Sequence, residues 1–210
     1  MTDMNRKLFD FIAASPTAFH CVAAAADVLE SAGYTHLSEA EEWAVEPGKG
    51  YYVTRNGSSL IAFRVPAGDF SCVMLAAAHS DAPTFKIKEN ACMGDGTYIR
   101  ISAEKYGGMM CAPWMDRPLG IAGRAIVKTE CGMETRLVDL GRAADGTQVV
   151  NAIIPSVAIH MNRNANEGAS YNPAVDMVPL AGMASSAADV RSACAAALGV
   201  SADDVLSTDL

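Results

Sequence analysis

The stretch from Ser71 to Lys88, SCVMLAAAHSDAPTFKIK, constrains the fold more than any other part of the chain. Its apolar run, Cys72 to Ala78, shows no alternation and stops abruptly at His79-Ser80-Asp81. Small and aliphatic residues without a polar face predict a strand buried on both sides, as in mostly parallel sheets covered by helices. In open α/β sheets, ligands bind beyond the carboxyl ends of the strands, which is where His79 falls. Asp81 follows two residues later, and in extended backbone the two side chains share a face. An imidazole beside a carboxylate suits a metal site, because one ring nitrogen binds the ion while the carboxylate fixes the ring and its tautomer. Taken alone, the same residues suit a hydrogen-bonded pair in a turn closed by Pro83 better, since a metal site normally needs three or more protein ligands.

With 210 residues, half of them hydrophobic and 19% charged, the chain can bury a sizeable core in one large domain or in a domain with an inserted element. A net charge of −8 argues against nucleic acid or an anionic membrane as partner. The N-terminus, MTDMNRKLFDFIAASPTAF, lacks a signal peptide's apolar core, and no apolar run reaches transmembrane length. The six cysteines are scattered without a C-x-x-C pair, which suits reduced thiols in a cytoplasmic protein.

Taken in order, Thr2 or Asp3 caps a first helix to about Ala14, and Leu8, Phe9, Phe11 and Ile12 supply its apolar face. Ser15 caps a second, well-buried helix from Pro16 to about Ser31, which Gly33 ends. Tyr34 to Leu37 returns toward the sheet. Glu39, Glu41, Glu42 and Glu46 surround Trp43 as a solvated acidic surface, without the oxygen-ligand spacing of a calcium loop. Tyr51–Arg55 and Ser59–Val65 flank Asn56-Gly57, a strong hairpin signal. The combination predicts an α/β fold with mixed strand directions.

Beyond Lys88, short alternating stretches at Tyr98–Ser102, Gly120–Lys128, Glu134–Leu140 and Gln148–Ile154 are separated by glycines, which predicts a small β-rich unit. Asp116-Arg117 reads as a salt-bridged or turn-positioning pair. The apolar segment Ile154–His160 ends in a histidine that, taken alone, reads as structural. Ala184 to Leu198 reads as an alanine-rich helix ended by Gly199, Ser201 with Asp204 as a capping box, and Val205 onward as a strand.

Several of these stretches, occurring in one order along nearly the whole chain, resemble the M18 family of metalloaminopeptidases, the aspartyl and vacuolar aminopeptidase group. They are Ser15-Pro16-Thr17-Ala18-Phe19-His20; Ala78-His79-Ser80-Asp81-Ala82-Pro83; Tyr106-Gly107-Gly108 with Trp114 to Arg124; and Ile154 to Arg163 with Asn166-Glu167. The resemblance implies an α/β catalytic domain that holds two zinc ions, with an inserted β-rich dimerisation domain. The change of texture after Lys88 places that insertion at about residues 90–198, leaving residues 1–89 and 199–210 to the catalytic domain. His79 matches the family's first metal ligand and Asp81 the carboxylate that orients it. His160 matches a histidine that reaches into the neighbouring subunit's active site, where it holds substrate and stabilises the tetrahedral intermediate. Homodimers assembling into larger homo-oligomers and a peptide substrate are implied as well.

The family's remaining metal ligands and its glutamate base match nothing in these residues. The expectation is therefore the N-terminal part of an aminopeptidase, inactive alone. The competing expectation is a non-catalytic oligomerisation or binding module built from the β-rich unit and an incomplete catalytic half.

Overall fold

The computed structural model describes residues 2–185 and 189–210. The chain divides into two compact units, Met1–Ala82 and Pro83–Leu210.

In the first unit, α1 (Asp3–Ala13) is capped by Thr2, whose hydroxyl accepts from the Asn5 amide. Helix α2 (Ala18–Ser31) starts later than the sequence suggests. The cap is Thr17, whose Oγ1 lies 3.5 Å from the His20 amide and 2.8 Å from His20 Nδ1. Both Ser15 and Thr17 are competent caps, and the threonine meets both His20 groups. Gly33 ends α2 at φ +82°, with Gly33 N–H donating to Glu30 O at 2.9 Å and Tyr34 N–H to Leu29 O at 3.0 Å. This is a Schellman closure, in which glycine takes the left-handed backbone that side chains resist. Burial of α2 is shallower than expected, with Val22 its one buried residue.

The sheet of this unit runs β1 (Thr35–His36), β2 (Gly50–Arg55), β3 (Ser59–Arg64), the first pair parallel and the second antiparallel. Asn56 and Gly57 at φ +53° and +63°, closed by Ser58 N–H to Arg55 O, form the type I′ turn that Asn-Gly predicts. Tyr51, Tyr52 and Val53 of β2 are buried. Glu39 of the acidic stretch pairs with Arg55 at 2.6 Å, and Trp43 stacks on Phe63.

The expected buried strand at Cys72–Ala78 does not form. Residues 72–79 carry no strand, and Val73, Met74 and Leu75 are 79%, 96% and 90% exposed. A strand buried on both faces needs ladder neighbours and covering helices. Among the described residues this run has neither.

Both sheets of the second unit are antiparallel. Strands β4 (Thr84–Gly94), β5 (Tyr98–Tyr106) and β8 (Leu180–Met183) make one sheet; β7 (Gly132–Asp139), β6 (Ala122–Thr129) and β9 (Val205–Asp209) make the other. Asp95 shapes the β4–β5 turn, its carboxylate accepting from the Thr97 and Tyr98 amides. Gly123 is obligatory, since a Cβ there would lie 2.1 Å from Asp209 O in the neighbouring strand. Ala125, Val127, Ala195 and Val205 form one core cluster, and Ala91, Ile101 and Ala152 another.

The expected strand at Gln148–Ile154 is reduced to single bridges opposite Arg142, Leu119, Met115 and Leu180. The Asn151 side chain takes ladder positions here, accepting from Ile121 N–H at 2.7 Å and donating to Leu140 O at 3.0 Å. Helix α3 (Pro173–Asp176) is one turn. Helix α4 (Val190–Leu198) starts later than Ala184, capped by Asp189 and ended by Gly199 at φ +67°. Residues 186–188 of the expected helix lie outside the described residues. Ser201 caps a short 3-10 turn through the Asp203 amide, and β9 follows as expected.

Candidate active site

His79 Nδ1 lies 2.8 Å from Asp81 Oδ1. The i, i+2 spacing brings the two side chains together across a bend at Ser80 rather than along a strand. The histidine side chain is 91% exposed and the aspartate 34%. Between them, Ser80 Oγ donates to Ser58 O at 2.8 Å, fastening the pair to the β2–β3 turn. A neutral imidazole that donates Nδ1–H to a carboxylate keeps its Nε2 lone pair for another bond. That chemistry fits one position of a zinc site, a histidine with its orienting carboxylate. Among the described residues, no group of three or more histidine, cysteine, aspartate or glutamate side chains could hold a metal ion.

His160 lies in the second unit, exposed in a turn closed by Met161 N–H to Ala158 O at 2.8 Å. The segment carrying it leaves the core at Ile154, which is fully buried. The other histidines have local contacts: His20 meets the Thr17 cap, and His36 packs on Tyr52 with ring centroids 4.9 Å apart.

Among the described residues, Asp116 makes no ion pair with its sequence neighbour Arg117. It adopts φ +57°, one of two non-glycine residues with positive φ among those described. Its N–H donates to Ile154 O at 2.9 Å. Its carboxylate accepts from Ser156 N–H at 2.9 Å and from Ser156 Oγ at 2.5 Å. These bonds, the Ser156 hydroxyl first and its amide second, hold the Asp116 carboxyl below the usual carboxylate range. The turn-positioning reading of Asp116 therefore has a partner that local sequence signals miss, because Ser156 is 40 residues away.

The model of the aminopeptidase I zinc metalloprotease family (M18) matches residues 11–210. A probable M18 family aminopeptidase 2 of Clostridium novyi is 42% identical over 182 residues, which is 84% of this chain and 40% of that protein. The structure of Chaetomium thermophilum mApe1 superposes with a TM-score of 0.79 at 26% identity, covering 97% of this chain and 49% of that one. The S. cerevisiae mApe1 dodecamer shares the fold, with a TM-score of 0.73 at 24% identity over 99% of this chain and 47% of that one. The chain thus spans between two fifths and half the length of these relatives.

Proposed function

Since the chain belongs to the M18 family of zinc metallopeptidases, we propose that it is the N-terminal part of an aminopeptidase that removes N-terminal residues from peptides, and that it is inactive alone. The observation that carries this reading is the His79–Asp81 pair at 2.8 Å, on the residues that match the family's first zinc ligand and its orienting carboxylate.

In this reading Asp81 holds the His79 ring through Nδ1 and leaves Nε2 as the metal-binding atom. Zinc, bound as a pair of ions, supplies a Lewis acid that polarises the scissile carbonyl and acidifies water. His160 acts in the active site of the neighbouring subunit of a homodimer, its imidazole N–H donating to the oxyanion that develops at the carbonyl oxygen. Its exposure on a turn of the β-rich unit supports that role. In this reading residues 90–198, which lie within the second compact unit, are the dimerisation insertion, and residues 1–89 and 199–210 belong to the catalytic domain. The dodecameric S. cerevisiae relative supports assembly of such dimers into a larger homo-oligomer. Among the described residues no helix is long and apolar enough to cross a membrane, and the scattered free cysteines support a cytoplasmic location.

The test uses purified chain with an aminoacyl chromogenic substrate and added Zn²⁺ or Co²⁺, alone and joined to the remaining C-terminal part of the C. novyi relative. Turnover is expected in the joined protein alone, and His79→Ala is expected to abolish it. Turnover by the chain alone overturns its inactivity. A folded joined protein that does not cleave overturns the aminopeptidase reading.

A further inference from the structure

On its near side, the loop that carries His160 is held to the core through Asp116. Residues 157–171 form a long exposed excursion whose backbone hydrogen bonds are local: Met161 N–H to Ala158 O, Ala165 N–H to Asn162 O and Glu167 N–H to Asn164 O. On the far side, Asn172 caps α3 and Met177 is buried. On the near side, the final ties before His160 run to Asp116. Its N–H holds Ile154 O, and its carboxylate takes both the N–H and the hydroxyl of Ser156. Asp116 is itself seated firmly. A parallel bridge pairs Met115 with Ile154, and Trp114 meets Phe85 of β4 edge-on at 5.1 Å.

We propose that Asp116 is a positioning residue for His160, gripping Ile154 and Ser156 so that the loop leaves the core in one direction. Ser156 and His160 are four residues apart, so an extended link reaches at most about 14 Å. The direction set at Ser156 therefore decides where the imidazole can go. The left-handed backbone at Asp116 turns its N–H and carboxylate toward the same segment. Aspartate tolerates that conformation better than most residues, although it still costs about 1 kcal/mol. A strained residue persists where its surroundings hold it, and here they do so at the root of a candidate catalytic loop.

This inference rests on His160 acting in the peptidase, and its test has an arm that does not. In the chain itself, amide exchange at Ser156 and residues 157–161 is followed by NMR in wild type, Asp116→Gly, Asp116→Asn and Ser156→Ala. Glycine keeps the left-handed backbone and removes the carboxylate; asparagine keeps an acceptor oxygen. Asp116→Gly is expected to speed Ser156 exchange by about tenfold or more, with Ser156→Ala and Asp116→Asn in between. Unchanged exchange in Asp116→Gly overturns the clamp.

The second arm measures turnover in the chain joined to the remaining part of the C. novyi relative. Asp116→Gly is expected to lower kcat by about 10- to 100-fold with KM little changed, Asp116→Asn to recover part of it, and the loss to vanish in a His160→Ala background. An Asp116→Gly loss that persists undiminished without His160, or no loss at all, overturns the positioning role. If the joined wild-type protein is inactive, the aminopeptidase reading fails while the exchange arm still decides the clamp.

Discussion

The Tyr52 hydroxyl donates to a Glu30 carboxylate oxygen at 2.5 Å, tying the buried centre of β2 to the last turn of α2. Burial first, and then this bond to a negative partner, push the phenol up to about 12. In the unfolded chain the phenol ionises near pH 10, so between about pH 10 and 12 the folded state binds more protons. The contribution is fully present below pH 10 and is lost as pH rises toward 12. Tyr52→Phe is expected to cost about 1 kcal/mol at neutral pH and to flatten that alkaline decline, as read by denaturant melts from pH 8 to 12.

The His79–Asp81 pair predicts an indirect effect on metal affinity. In the proposed role of His79, Asp81 touches Nδ1 and leaves Nε2 to the metal. In the joined protein, Asp81→Asn is expected to weaken Zn²⁺ binding by about 10- to 100-fold in a competition titration with a chromophoric chelator. His79→Ala is expected to weaken it further. Equal zinc affinity in wild type and His79→Ala would remove His79 from the ligand set.

The exposed run at Cys72–Ala78 makes an unusual mutational prediction. A strand buried on both faces loses several kcal/mol when a charge enters it, but Met74 and Leu75 are 96% and 90% exposed. Met74→Asp and Leu75→Asp are therefore expected to change the stability of this chain by no more than about 0.5 kcal/mol in a urea melt. A loss of several kcal/mol would show that the run is packed.

Cys194 should be the slowest thiol. It is fully buried on α4, and burial, aided by the Asp189 charge, pushes it up to about 11. Cys72, Cys92 and Cys131 are exposed. Since the thiolate is the reactive form, iodoacetamide at pH 8 is expected to alkylate those three first and Cys194 only in denaturant, as peptide mass mapping would show.

Features governed by neighbouring residues were legible in the sequence. Asn56-Gly57 gave its hairpin, Gly33 and Gly199 their helix ends, and the short glycine-punctuated stretches β5, β6 and β7 of the second unit. The His79–Asp81 contact was legible from the short i, i+2 spacing, although it forms across a bend at Ser80 and not along the expected strand. Features that depend on distant chain were not legible. Cys72–Ala78 has a strand's composition, but composition does not supply ladder partners. Gln148–Ile154 has a strand's alternation, but Asn151 substitutes its side chain for the ladder. Ser156 shows no local sign of Asp116, and β8 is too short to show a period.

The place of β9 has a consequence for how the second unit is made. Strand β6 pairs with β7 through a tight hairpin, but its other edge waits for β9, and Arg124 meets Asp209 across 85 residues. Closing so long a loop must be repaid by contacts that form last. During synthesis the β6–β7 hairpin emerges from the ribosome well before its partner strand. Throughout that interval the edge with Ala125 and Val127 stays open, a template for mispairing until β9 joins it.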